Sequence, residues 1–117
     1  MTIREIGDLL DARVLCGKDL DVDVKSACGS DMMSDVLAFV KHRAALLTGL
    51  VNPQVIRTAE MMDMLCVVFV RDKIPTIDMI ELAEESGIAV LATSKRMYEA
   101  CGILYANGLK GNGELHG

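Results

Sequence analysis

The chain has 117 residues, 51% hydrophobic and 25% charged, with a formal net charge of -5. That length suits one domain rather than two, and the apolar content excludes a disordered chain. The longest apolar run, 64–70, is far short of the ~20 residues a membrane helix needs. The opening Met1-Thr2-Ile3-Arg4-Glu5 lacks the basic-then-apolar order of a signal peptide, so no membrane partner and a cytoplasmic location are expected.

Thr2 and Glu5 have capping-box spacing, which predicts a first helix with Ile3, Ile6 and Leu10 on its apolar face. Arg13-Val14-Leu15-Cys16 reads as a short strand, and Gly17-Lys18-Asp19 as a turn. Val22 and Val24 open a second extended stretch that ends near Cys28-Gly29. Ser30, Asp31 or Ser34 is expected to cap a helix whose inner face is Met33, Val36, Leu37 and Val40.

The pattern then becomes regular. Residues 44–48 are apolar up to Thr48 and predict a buried strand. Asn52 as N-cap and Pro53 at the first helical position start the next helix, which turns Val55, Ile56, Ala59 and Met62 inward. The continuous run 64–70 is the clearest strand. Thr76 caps a helix carrying Met79, Ile80 and Ala83 inward and ending at Gly87. Residues 88–92 form another buried strand, and Thr93 or Ser94 caps a last helix with a stripe of Met97, Cys101, Leu104 and Tyr105. Gly108 ends that helix, and residues 110–117 read as a frayed tail.

Alternating strands and helices joined by short loops argue a three-layer α/β/α sandwich with a mostly parallel sheet, as one domain over 1–117. The first two strands are expected at an edge or antiparallel.

Few chemical signals stand out. An acidic chain lacks the basic excess that neutralises phosphates in nucleic-acid binders. Its only aromatics are Phe39, Phe69, Tyr98 and Tyr105, which leaves little to stack on bases. Cys16, Cys28, Cys66 and Cys101 are scattered without paired spacing, so no metal site and no disulfide is expected, and they read as small hydrophobes. Asp19, Asp21 and Asp23 lack the later Gly and Glu of a calcium loop and read as a solvated turn. His42 sits at a polar helix end and His116 in the tail. No phosphate-loop, dinucleotide or nucleophile-elbow motif occurs, so no catalytic residues and no cofactor are assigned. Gly102 inside the last helix points to a close approach by another backbone or by a partner.

Ligands of open α/β sheets bind beyond the carboxyl ends of the strands. The loops there hold Ser30, Asp31, Thr48, Gly49, Asn52, Arg71, Thr93 and Ser94, the candidate ligand-binding residues. Hydroxyls, helix N-termini and a cation suit a phosphate or carboxylate. Helix initiation alone also explains each loop.

The stretch Ser26-Ala27-Cys28-Gly29-Ser30-Asp31-Met32-Met33-Ser34-Asp35-Val36-Leu37-Ala38, the strand end Leu46-Leu47-Thr48-Gly49-Leu50-Val51-Asn52-Pro53-Gln54-Val55, and the stretch 81–108 resemble the DRTGG domain family over nearly the whole chain. The naming letters fall after two strand ends, which here read Gly49-Leu50-Val51 and Val70-Arg71-Asp72. The resemblance implies a fold similar to the N-terminal domain of HPr kinase/phosphorylase. It also implies a non-catalytic regulatory or protein-interaction role, homodimer formation, and a protein partner in anaerobic metabolism. The alternative is a sensor for a nucleotide or another phosphorylated small molecule at the strand-end loops.

Overall fold

The computed structural model describes residues 1–39 and 43–111. Chain order runs α1 (Ile3–Leu10), β1 (Arg13–Cys16), β2 (Ser26–Gly29), α2 (Met33–Phe39), β3 (Ala44–Thr48), α3 (Pro53–Met61), β4 (Cys66–Phe69), α4 (Ile77–Ser86), β5 (Ala89–Ala92) and α5 (Met97–Ala106). The five strands form one sheet in the order β1-β5-β4-β3-β2. β2, β3, β4 and β5 are parallel, and β1 joins β5 antiparallel at the opposite edge. The fold is therefore the expected α/β sandwich. Both strands expected at an edge are there, and only β1 is reversed.

Local chemistry explains most element ends. The Thr2 hydroxyl accepts from the Glu5 N–H while the Glu5 carboxylate accepts from the Thr2 N–H, closing the capping box. Asn52 accepts from the Gln54 N–H ahead of Pro53, and Thr76 accepts from the Met79 N–H. Gly87 stops α4 in the left-handed conformation at φ 74°.

The three central strands β3, β4 and β5 are buried on both faces, so two cores form. One face packs Leu47, Val68 and Leu91 against Ile6 and Leu10 of α1 and Ala100 and Leu104 of α5. The other packs Leu46, Val67 and Phe69 against Val36 of α2, Val55, Ile56 and Ala59 of α3, and Met79 and Ala83 of α4. Each fully buried aliphatic side chain contributes about 1.5–3 kcal/mol.

Several expectations need correction. β2 begins at Ser26, and the stretch before it makes a single bridge between Asp23 and Thr2. Leu37 faces out because Val36 alone of the described α2 side chains is buried. On α5 the inward residues are Ala100 and Leu104, whereas Tyr105 is exposed. Arg96 occupies the N-cap of α5 without a side-chain bond, so neither Thr93 nor Ser94 caps it. Lys110 is held rather than frayed: its carbonyl accepts from the Ala27 N–H on the edge of β2, and its ammonium lies over the Tyr105 ring. Cys66 is buried as its strand position implies, and Cys16 is buried too, but Cys101, expected inside on the apolar face of its helix, is only half-buried, as is Cys28. Val40, His42 and His116, with the rest of the tail from 112, lie outside the described residues.

Candidate functional site

At the carboxyl end of the parallel strands, three loops meet around one carboxylate. Asp31 follows β2, Thr48 and Gly49 end β3, and Arg71 follows β4. The Asp31 Oδ1 accepts from the Thr48 hydroxyl at 2.9 Å and from the Gly49 N–H at 2.8 Å. Its Oδ2 lies 3.5 Å from a guanidinium nitrogen of Arg71. Thr48 also accepts from the Leu50 N–H at 3.1 Å, so its hydroxyl spans the turn out of β3. Gly49 is buried under the Arg71 guanidinium, which occupies the space a β-carbon would need.

Backbone conformation places Arg71. Arg71 and Asp72 are successive non-glycine residues with left-handed φ of 61° and 59°. Such residues cost on the order of 1–2 kcal/mol each. The neighbouring loop offsets that cost: the Arg71 N–H donates to the Lys95 carbonyl at 2.9 Å and the Asp72 N–H to the Thr93 carbonyl at 3.1 Å. The loop after β4 is thus pinned to the loop after β5, and the guanidinium is turned back toward β3.

The other candidate residues are placed differently. Ser30 accepts from the Met32 N–H and closes its own turn. The Asn52 side chain is used at the start of α3. The Thr93 hydroxyl is buried and donates to the Leu10 carbonyl at 2.7 Å while accepting from Lys95 N–H. Ser94 is exposed in a separate crevice of about 190 Å³ lined by Asp11, Arg13, Asp72 and Ile74. The structure therefore gathers Asp31, Thr48, Gly49 and Arg71, and leaves Ser30, Asn52, Thr93 and Ser94 outside that cluster.

Tyr98, one of the two tyrosines of the last helix that the sequence offers for stacking on a base, and Arg96, which sequence reasoning did not single out, stand at the same end of the sheet. Tyr98 is 91% exposed at the first turn of α5, beside the exposed Arg96. The isolated Arg96 gave no motif; only the strand-end position of α5 could have flagged it. Among the described residues no group of three His, Cys, Asp or Glu side chains could hold a metal ion. Burial pushes the Cys28 thiol up to about 11, aided by Cys101, and the Cys66 thiol up to about 12. Neither carries appreciable thiolate near neutral pH.

No protein-family model matches the chain, and no curated protein matches it. Its fold is similar to a solved structure, that of the CBS and DRTGG domains of the regulatory region of Clostridium perfringens pyrophosphatase, complexed with activator, diadenosine tetraphosphate. The TM-score is 0.69 at 14% identity, over 88% of this chain and 45% of that one. The chain thus spans a little under half of that neighbour. The likeness is one of fold. Among the described residues no helix is long and apolar enough to cross a membrane.

Proposed function

We propose that this chain is a DRTGG-type regulatory domain, a single unit over 1–117, that senses an anionic ligand at the carboxyl end of its sheet. The observation that carries this reading is the convergence of the Arg71 guanidinium, the Thr48 hydroxyl and the Gly49 N–H from two strand ends. Three donors of that kind recognise phosphate oxygens by charge-assisted hydrogen bonds. The similar regulatory region was solved with a nucleotide activator, which supports a nucleotide or another phosphorylated metabolite as the ligand class. In this reading the exposed Tyr98 and Arg96, at the start of α5, offer a stacking face and a further cation. The role is non-catalytic and cytoplasmic in this reading, with output through a protein partner.

Mass action sets the test, because a ligand that binds only the folded state raises its stability. Adenosine nucleotides, acetyl phosphate and inorganic pyrophosphate are titrated while the melting temperature is followed. An upward shift with any of them, lost in Arg71→Gln, supports the proposal. No shift with all three overturns it.

Homodimer formation is the second part of the proposal, and one feature of α5 favours it. Among the described residues nothing lies within 4 Å of the position a Gly102 β-carbon would take, so packing against them does not explain the glycine. It lies in an open apolar groove with Met97, Tyr98, Cys101, Tyr105 and Ala106. Gly102→Arg leaves the fold intact and, if the groove is the interface, halves the mass in solution. An unchanged mass in the variant removes the groove as the interface.

A further inference from the structure

The donors that suit a phosphate are already engaged by the chain itself. Asp31 takes the Thr48 hydroxyl, the Gly49 N–H and the Arg71 guanidinium with its two carboxylate oxygens. We propose that Asp31 is a displaceable internal anion, a latch that fills the site until a phosphate group removes it. This rests on the sensing reading above and adds a direction to it: Asp31 opposes the ligand instead of contacting it.

The geometry supports displacement. Asp31 and Arg71 are each about half exposed, their side chains 50% and 45% accessible. The ion pair is therefore screened and weak compared with a buried one. Gly49, by contrast, is buried, and its N–H and the Thr48 hydroxyl are fixed at the end of a fully buried strand. The donors stay in place while the carboxylate can leave. A phosphate brings more acceptor oxygens and more charge than one carboxylate, and it does not carry the chain with it.

Release has a mechanical consequence. Asp31 ties the loop between β2 and α2 to the end of β3, and α2 follows at Met33. Ser30 still holds Met32 from its own side. With Asp31 displaced, the loop keeps only the Ser30 N–H bond to the Leu47 carbonyl at its start, and among the described α2 side chains Val36 stays buried and Met33 partly buried. Ligand occupancy is thus converted into loosening of the 31–37 segment, beyond the Ser30 tie to β3, a change on the surface that a partner can read.

The arithmetic is that of a competent state present as a minor fraction: a latch closed nine times in ten lowers apparent affinity about tenfold. Removing the carboxylate restores it. Inorganic pyrophosphate is titrated by calorimetry into the wild-type chain, Asp31→Asn, Asp31→Ala and Asp31→Ala/Arg71→Gln. The two single variants are expected to bind about tenfold more tightly than wild type, and the double variant to lose that gain. Two single variants serve because Asn keeps the side-chain volume while Ala removes the acceptor, so either one folded suffices. Backbone hydrogen exchange at 31–37 is expected to quicken when pyrophosphate binds the wild type. Binding by wild type with equal or weaker binding by both Asp31 variants overturns the latch and leaves the sensor standing. Absence of binding in every form, together with no response to the nucleotides, overturns both.

Discussion

The guanidinium of Arg71 rests on the backbone of Gly49, in the space any larger residue would claim. A methyl group there must push aside the far end of a flexible side chain, not backbone. Gly49→Ala is therefore expected to fold, with a loss of under about 1 kcal/mol from the exposed ion pair. Its pyrophosphate affinity is expected to fall about fivefold or more as a charge-assisted contact is lost. Urea unfolding and calorimetry on one sample separate the two effects.

Gly29→Ala has a different outcome. A β-carbon at Gly29 would stand 2.6 Å from the Cys101 sulfur and 2.9 Å from the Met97 sulfur. Both belong to α5, so the helix must lift from the edge of β2. Overpacking of this kind costs roughly 1–3 kcal/mol. A urea midpoint equal to wild type would show that α5 sits further from β2 than the structure has it.

Thr58 offers a gain. Its hydroxyl is buried in α3 and has no hydrogen-bond partner among the described residues. Replacing it by a methyl group of the same shape removes an unsatisfied polar atom, so Thr58→Val is expected to stabilise the fold by about 1 kcal/mol. Chemical unfolding of the two forms checks the sign.

Acid sensitivity is expected to involve Asp23. Hydrogen bonds from the Lys25 ammonium at 2.7 Å and from the Met1 amine at 2.8 Å hold its carboxyl at about 2, below the ordinary 3.8. A folded-state value below the unfolded one gives stability that is complete above 3.8 and lost as pH falls through about 2. Asp23→Asn is expected to flatten the stability profile in that window and leave its slope above pH 5 as in wild type. Urea midpoints taken across the acid range measure this.

Local physics made much of the fold legible. A capping box needs only Thr2 and Glu5, and a helix start needs only Asn52 and Pro53. Continuous apolar runs marked β3, β4 and β5 because parallel strands bury both faces. α5 was harder. Its residues are apolar around most of the circumference, so the stripe through Tyr105 and the one through Ala100 and Leu104 look alike until the sheet selects one. The candidate site was legible as a set of loops, from the rule that strand ends face ligands. The pairing of Asp31 with Arg71 was not, because it depends on β2, β3 and β4 lying side by side. The commitment of Thr93 to Leu10 was hidden for the same reason.

The reversed edge strand also bears on how the chain folds. β2 to β5 are joined by successive local crossovers, whereas β1 meets β5 across about two thirds of the sequence. Cys16 reaches the Ile88 carbonyl over 72 positions, and Thr93 reaches the Leu10 carbonyl over 83. Long-range contacts of this kind must wait on loop closure, which slows their formation. The α1–β1 unit is therefore expected to dock last onto a preformed parallel sheet, its arrival completing the core beneath Leu91.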